Sequence, residues 1–324
     1  MKPLTGYHPF AQQSSQRICA DITECIGNTP MIELSRLANL QNFAGRVLAK
    51  AEFFNPMSSV KDRPAYAMLQ NLMASPDFSE HTQIIEATSG NNGVSCAWLC
   101  AIYEIPLTIV IPEHMSIERQ KMIKHFGAKV VTTPKHLGTK GAIDLATRMV
   151  AEQPHAVMLD QFANNANPQC HANSTGQEIL QATGGNVDVI VAGVGTGGTL
   201  SGIAKTLKQY NKSIQVVAVE PANCPVLSKG QSGVHGIQGL SSGHVPDTLS
   251  RELIDTIITV EDDEAIAFAR LLARTEGLAV GISSGANVCA AASLAVRPDY
   301  ADKTIVTILA DTAERYYSTG LFSQ

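Results

Sequence analysis

Two kinds of hydrophobic pattern alternate along the chain. Short runs rich in β-branched residues occupy positions 46–51, 82–86, 107–111, 129–133, 187–192, 215–220 and 304–309, and they read as buried strands. Between them, helix-like patterns cover 61–73, 93–103, 116–126, 141–152, 200–210 and 262–274. Ser116, followed by Glu118, supplies one of these helices with an N-cap and an acidic first turn. Strands separated by helices form βαβ units, so the expected fold is α/β, built on doubly wound parallel sheets. The Asn-dense stretch 164–173, which holds Pro168 and His171, is expected to be a loop crossing between lobes. No internal repeat or low-complexity tract breaks the pattern.

Size and charge narrow the picture. A chain of 324 residues, 44% apolar and 16% charged, has enough material for two globular lobes. A net charge of −5 without any Lys/Arg run excludes a nucleic-acid or anionic-membrane partner as the expectation and points to a small ligand. The seven cysteines show no CxxC spacing, which suits thiols in a reducing cytosol, so a cytoplasmic protein without a metal site is expected. Cys96 and Cys100 stand one helical turn apart and read as core packing. The first twenty residues lack an apolar h-region, and no run is long enough to span a membrane.

Four stretches carry candidate chemistry. In Asn55-Pro56-Met57-Ser58-Ser59-Val60-Lys61-Asp62-Arg63 a turn runs into a helix, with Lys61 expected in the first helical turn. The helix macrodipole disfavours a cation there, and together with burial it lowers the lysine pKa and leaves a nucleophilic amine. The plain alternative is a solvent-facing lysine balanced by Asp62. The second stretch, Thr88-Ser89-Gly90-Asn91-Asn92-Gly93, gathers hydroxyls, amides and backbone N–H groups between a strand and a helix, as a carboxylate or phosphate receptor does. The third, Gly193-Val194-Gly195-Thr196-Gly197-Gly198-Thr199, is ambiguous. Gly193, Gly195 and Gly198 fit GxGxxG, and Glu220 ends the next strand, which together describe an NAD-dependent oxidoreductase. The same loop could equally cradle a single phosphate with its N–H groups and the hydroxyls of Thr196 and Thr199. The fourth, Gly281-Ile282-Ser283-Ser284-Gly285-Ala286, leads into a small-residue helix.

Taken in order, these stretches resemble the cysteine synthase (O-acetylserine sulfhydrylase) family of fold-type-II pyridoxal-phosphate (PLP) enzymes, which share the tryptophan synthase β-like fold and include cystathionine β-synthase. The resemblance extends through Ile26-Gly27-Asn28-Thr29-Pro30, Pro112-Glu113-His114-Met115-Ser116-Ile117-Glu118-Arg119, Phe126-Gly127-Ala128, Asp160-Gln161-Phe162-Ala163-Asn164, Thr175-Gly176-Gln177-Glu178-Ile179, Val219-Glu220-Pro221, Gly277 and Glu314-Arg315-Tyr316. It implies a two-lobed protein, with residues 55–165 as the smaller mobile lobe and residues 1–54 and 166–324 as the larger one. By the same resemblance, Lys61 carries the cofactor and serves as catalytic base, Asn91 donates to the cofactor's phenolic oxygen, Gly195, Thr196, Gly197, Gly198 and Thr199 hold its phosphate, and Ser283 faces its ring nitrogen. Thr88, Ser89, Asn91, Asn92 and Gln161 would receive the substrate carboxylate, with Ser241 near the substrate side chain. The implied reaction is β-replacement on an activated serine by sulfide or a thiol, giving cysteine or a relative. Cystathionine β-synthase activity, or cysteine β-lyase activity that produces hydrogen sulfide, is the alternative within the family. A homodimer, and a serine acetyltransferase as partner, are also implied.

Three departures from the family pattern stand out. Ser58 occupies a usual glycine position, Asn92 a usual threonine position, and Gly239-Leu240-Ser241-Ser242-Gly243-His244 stands where Gly-Ile-Gly-Ala-Gly-Phe is usual. No Arg or Lys lies between Lys229 and Arg251, so the donor is expected to be uncharged at the β-position, with Ser241 and His244 either adding polarity there or simply satisfying loop backbone or facing water.

Overall fold

The computed structural model describes residues 18–88, 90–113 and 115–323. Ser89, one of the expected carboxylate ligands, lies outside the described residues, as do His114 and residues 1–17, most of the stretch where no secretory h-region is expected. The strands are β1 (Met31–Glu33), β2 (Arg46–Ala51), β3 (Gln83–Ala87), β4 (Leu107–Pro112), β5 (Lys129–Thr133), β6 (Ala156–Val157), β7 (Val189–Gly193), β8 (Gln215–Pro221), β9 (Thr256–Val260) and β10 (Thr304–Leu309). The helices are α1 (Ser35–Gln41), α2 (Asp62–Met73), α3 (Asn91–Ile102), α4 (Ile117–His125), α5 (Gly138–Glu152), α6 (Ala166–Asn173), α7 (Thr175–Thr183), α8 (Gly198–Tyr210), α9 (Val226–Lys229), α10 (Asp262–Thr275) and α11 (Ile282–Ala295).

The strands form two sheets. One has six strands in the order β1-β2-β10-β7-β8-β9, parallel except for the antiparallel pairing of β1 with β2. The other is a four-stranded parallel sheet, β5-β4-β3-β6. Side-chain alternation gives each sheet two buried faces. Val189, Val191, Val217 and Val219 pack with Ala269, Leu272 and Ala286 of α10 and α11, while Ile190, Ala192, Val216 and Ala218 pack with Leu200, Ile203 and Leu207 of α8. In the smaller sheet, Ile84, Ile109 and Ile111 meet Val94 and Trp98 of α3, and Ile85, Ala87 and Val110 meet Ala142 and Ala146 of α5. Helices on both faces of parallel strands make the fold doubly wound. Cys96 and Cys100 belong to the α3 core, where burial pushes both thiols up, Cys100 to about 12.

All seven expected strands form, within two residues of their expected ends. β1, β6 and β9 have no continuous apolar run because they are short or half-buried. The structure corrects the reading of 164–173, since residues 166–173 are helix α6. Pro168 stands in its first turn, where a missing N–H costs nothing. Asn167 is buried, donating to Thr196 Oγ1 at 3.0 Å and to the Gln161 carbonyl at 2.8 Å. The asparagines mark an internal hydrogen-bond network rather than a solvated loop.

Candidate active site

The segments leaving the C-terminal ends of β3, β7 and β10 converge with the start of α2 on one cavity of about 340 Å3. This is where parallel sheets place ligands. Lys61, Thr88, Asn91, Asn92, Gln161 and Ser283 all line it, as do Gly195, Thr196, Gly197, Thr199 and Ser241. Of the expected site residues that are described, only Gly198 is not part of the wall, and it begins α8 directly behind the loop. No aspartate or glutamate lines the cavity among the described residues, whereas Lys61 and Arg119 do. The wall therefore favours anions.

Lys61 is the N-cap of α2, one residue ahead of the expected first turn. Its backbone is held on both sides. Val60 N–H donates to the Ala310 carbonyl at 2.8 Å, Lys61 N–H donates to Ser59 Oγ at 3.1 Å, and buried Asp62 accepts from Met57 N–H at 2.7 Å and from Ser95 Oγ at 2.6 Å. Burial pushes the Lys61 amine down to about 8, against an opposing influence from Cys170. Among the described residues Nζ has no hydrogen-bond or ion-pair partner. Lys61 is half-buried in the cavity wall, and Asp62, bonded to Met57 and Ser95, is not the balancing charge of the plain alternative.

Arg63, two residues further on, anchors the same helix start. Its guanidinium donates from Nε and Nη2 to Glu52 at 2.7 and 2.8 Å and from Nη1 and Nη2 to Glu178 at 2.6 and 2.8 Å, while Lys50 Nζ reaches Glu178 at 2.6 Å. Burial alone would raise the Glu178 carboxyl, but the Arg63 and Lys50 bonds bring it down to about 2.

The glycine loop opens α8. Gly197 is left-handed at φ +83°, and a Cβ on Gly195 would lie 2.2 Å from the Gly239 carbonyl oxygen, so the backbone approach excludes any side chain there. Thr196 Oγ1 accepts from Asn167, and Thr199 Oγ1 lies 3.2 Å from Nε2 of His171. Burial, reinforced by Arg63, drops His171 to about 3, so its ring is neutral and orients Thr199 without adding charge. Glu220 is corrected. It is buried and accepts from Leu227 N–H, Ser228 N–H and Ser228 Oγ at 2.7, 3.0 and 2.5 Å, which leaves it tied to α9 rather than open to a ribose.

Asn91 is fixed by a cluster that sequence reasoning did not assemble. Its Nδ2 donates to Asp311 Oδ2 at 2.6 Å, and Arg315 Nη1 donates to its Oδ1 at 3.0 Å. An acceptor-only carboxylate on one end and a donor-only guanidinium on the other define which way the amide points, and Nδ2 keeps a second N–H for a ligand. Tyr316 OH also donates to Asp311 at 2.7 Å, and Arg119 stacks 4.7 Å over the Tyr316 ring while donating to Gln238 at 2.7 Å. Arg119 and the Glu314-Arg315-Tyr316 run stood inside recognisable motifs, but nothing local to either showed that they meet at Asn91.

The altered loops behave differently from one another. Ser58 and Ser241 occupy left-handed backbone at φ +51° and +36°, which explains why glycine suits both positions. The Ser241 hydroxyl lies 3.2 Å from Cys224 Sγ, and its carbonyl lies 3.1 Å from His235 Nε2. His244 does not line the main cavity. Its ring lies 5.5 Å from that of Phe162, tilted by 51°, and borders a second cavity, so its expected place near the β-carbon is corrected. Arg119 is a cation that the 229–251 window could not reveal, because it arrives from α4. Asp311, at 3.9 Å, and Gln238 already engage it.

A family model described as pyridoxal-phosphate dependent enzyme matches residues 22–311. The chain is 46% identical over 302 residues to cysteine synthase B of Campylobacter jejuni, covering 93% of this chain and 98% of the relative. Among solved structures, cysteine synthase from Entamoeba histolytica matches with a TM-score of 0.93 at 37% identity, covering 98% of this chain and 94% of that one. A hydrogen sulfide-producing enzyme from Fusobacterium nucleatum matches with a TM-score of 0.88 at 36% identity, covering 92% of this chain and 100% of that one.

Proposed function

The chain belongs to the pyridoxal-phosphate-dependent enzyme family and, like the cysteine synthases it matches along nearly its full length, forms cysteine by β-replacement; we propose that Lys61 both carries its cofactor and moves the α-proton. The oxidoreductase alternative falls with this membership. What supports the Lys61 assignment above all is a lysine amine that, among the described residues, has no partner and shares a cavity without carboxylates with a glycine loop at a helix N-terminus.

The residues fit the cofactor. Gly195 and Gly197 line the cavity just ahead of the α8 N-terminus, so backbone N–H groups of this loop would receive a phosphate, with the Thr196 and Thr199 hydroxyls beside them. Asn91 offers its second N–H as a donor, and Ser283 offers a neutral hydroxyl suited to the ring nitrogen. When bound, the cofactor supplies an electron sink for the α-carbon of the amino acid it holds. The side chains supply the rest. Lys61 Nζ accepts the α-proton and returns a proton later, which its pKa near 8 permits at neutral pH. Thr88, Asn92 and Gln161 orient the substrate carboxylate; Gln161 Nε2 already lies 3.4 Å from Thr88 Oγ1. Ser241 and its neighbours cover the side-chain end of the cavity. We take residues 55–165 as a mobile lobe closing on residues 1–54 and 166–324. We further take the protein to be a cytoplasmic homodimer that can pair with a serine acetyltransferase. Among the described residues, no helix is long and apolar enough to cross a membrane.

The direct test is borohydride reduction of the purified enzyme followed by peptide mass spectrometry, with cysteine formation from O-acetylserine and sulfide measured in parallel. A pyridoxyl adduct on Lys61 is the expected result, and an adduct on another lysine overturns the assignment. Ser283→Asp is expected to slow turnover by about tenfold, because a carboxylate at that position favours a protonated ring. Unchanged rates with the cofactor still bound would remove Ser283 from that role.

The donor is proposed to be uncharged at its β-position, since the guanidinium that reaches the cavity is already engaged by Asp311 and Gln238. With Lys61 committed to the cofactor and the α-proton, a phosphoryl group would lack an unspent charge partner. Comparing kcat/KM for O-acetylserine, serine, cysteine and O-phosphoserine should leave O-phosphoserine last. Its appearance at the top would refute the charge argument, and a high rank for cysteine would instead favour hydrogen sulfide production, the activity named for the Fusobacterium relative.

A further inference from the structure

Helix α6 packs directly against α8, and the two come close because α8 turns glycines towards it. A Cβ on Gly198 would collide with the Asn167 amide, and one on Gly202 with the Pro168 carbonyl and the His171 side chain. Gly198 and Gly202 stand one turn apart on α8, as Asn167 and His171 do on α6, so the two pairs face each other. Each of these α6 side chains meets one threonine of the glycine loop, Asn167 at Thr196 and His171 at Thr199. Both threonines line the main cavity, and Thr199 is only half-buried. His171 is fully buried and does not line it.

The direction of the first contact is fixed. The Gln161 carbonyl only accepts, so the Asn167 end that meets it at 2.8 Å is Nδ2, and the same Nδ2 donates to Thr196 Oγ1 at 3.0 Å. Gly198 N–H donates to that oxygen as well, at 3.4 Å. With both lone pairs engaged, the Thr196 hydroxyl is left with its proton to give. The second contact has two possible directions. Burial, reinforced by Arg63, holds His171 down to about 3, so the ring carries a single N–H. On Nδ1 that proton would go to Thr175 Oγ1, 2.9 Å away, and Nε2 would take the hydroxyl proton of Thr199. On Nε2 it would go to Thr199 Oγ1, 3.2 Å away, and Nδ1 would take the hydroxyl proton of Thr175.

We propose that His171 is a positioning residue held as the Nε2–H tautomer, so that Thr175 donates to His171, His171 donates to Thr199, and the Thr199 hydroxyl proton is free for the cofactor phosphate. This rests on the reading of Gly195 to Thr199 as the seat of that phosphate. An ionised phosphate oxygen only accepts, and among the described residues the cavity wall holds no cation besides Lys61 and Arg119, so the loop must bind through N–H and O–H donors. The opposite tautomer would spend the Thr199 proton on the ring and turn hydroxyl lone pairs towards the anion. Asn167 and His171 thus impose one polarity on two threonines from a single face of α6.

Two measurements on the full-length chain test this. In nitrogen-15 spectra of the histidine-labelled holoenzyme at neutral pH, the ring resonances that vanish in His171→Gln should belong to an imidazole protonated on Nε2. A proton on Nδ1, or on both nitrogens, overturns the proposal. Cofactor affinity is the second readout, taken from the visible absorption that survives dialysis against graded cofactor concentrations. Thr199→Val should weaken it about tenfold, as loss of one hydrogen bond to a charged group does. His171→Leu should weaken it equally, whereas His171→Gln, whose amide can still donate to Thr199 Oγ1, should stay within about twofold of the wild type. The double variant His171→Leu, Thr199→Val should bind no more weakly than Thr199→Val, because both changes remove the same bond. Additive losses would make His171 a packing residue and overturn the proposal, as would unchanged affinity in His171→Leu beside a weakened Thr199→Val. Should far-ultraviolet circular dichroism show His171→Leu unfolded, the tautomer and His171→Gln still decide, and a glutamine variant as weak as Thr199→Val overturns it. A Thr199→Val variant that binds the cofactor as tightly as the wild type would instead strike the phosphate-seat reading, and the proposal with it.

Discussion

Lys61→Ala is expected to lower kcat/KM by at least about 10³-fold while leaving the protein folded. The amine has no partner among the described residues, so its removal breaks no ion pair and strands no buried charge. What goes is the group whose pKa is lowered to about 8, which makes about a tenth of it neutral at pH 7, against roughly three in ten thousand for an ordinary lysine. Among the described residues no other lysine lines the cavity to take over its role. Steady-state cysteine formation, the visible absorption of the cofactor and far-ultraviolet circular dichroism check this together. A folded variant that turns over at the wild-type rate would place the base elsewhere.

Arg63→Met is expected to be the most damaging change to stability, costing about 3–5 kcal/mol. It leaves Glu52, which has no exposed surface, without the two bonds that neutralise it, and leaves Glu178 with Lys50 alone. Equilibrium urea unfolding reads the loss, and a cost under about 1 kcal/mol would mean that the neighbouring Lys50 compensates. The pH dependence adds a check with a definite sign. The folded pKa of Glu178 is depressed to about 2, so its contribution is present above the unfolded carboxylate pKa near 4.3 and is lost as pH falls from there towards about 2. That acid-side loss should be smaller in Arg63→Met. The variant should also bind the cofactor more weakly, because Arg63 holds the helix start that presents Lys61.

Much of the site was legible because it is local. The lysine, asparagine and glycine stretches each pair a turn chemistry with a helix start, and the Gly195 and Gly197 backbone requirements appear directly as glycine. The glycine loop by itself remained open to a dinucleotide reading. That reading needed Glu220 to be free, and only the bonds to Leu227 and Ser228 show that it is not. The helix at Ala166–Asn173 was misread because asparagine and proline signal loops when they face water, whereas here Asn167 is buried against Thr196.

The sequence by itself determined the strand and helix alternation, the lysine, the phosphate-type loop and the carboxylate-type loop, since each depends on neighbours a few residues away and on the side-chain period. Tertiary structure alone decided the charges that meet across long separations. Asp311 and Arg315 orient Asn91 from more than two hundred positions along the chain, Arg119 comes to Gln238 from α4, and Glu86 holds the turn before Gln161. Such pairs leave no periodic trace, because hydrogen-bond partners are selected by where the sheet ends place them, and burial, which sets the pKa values of Lys61 and Glu86, belongs to the packed whole rather than to either residue's surroundings in sequence.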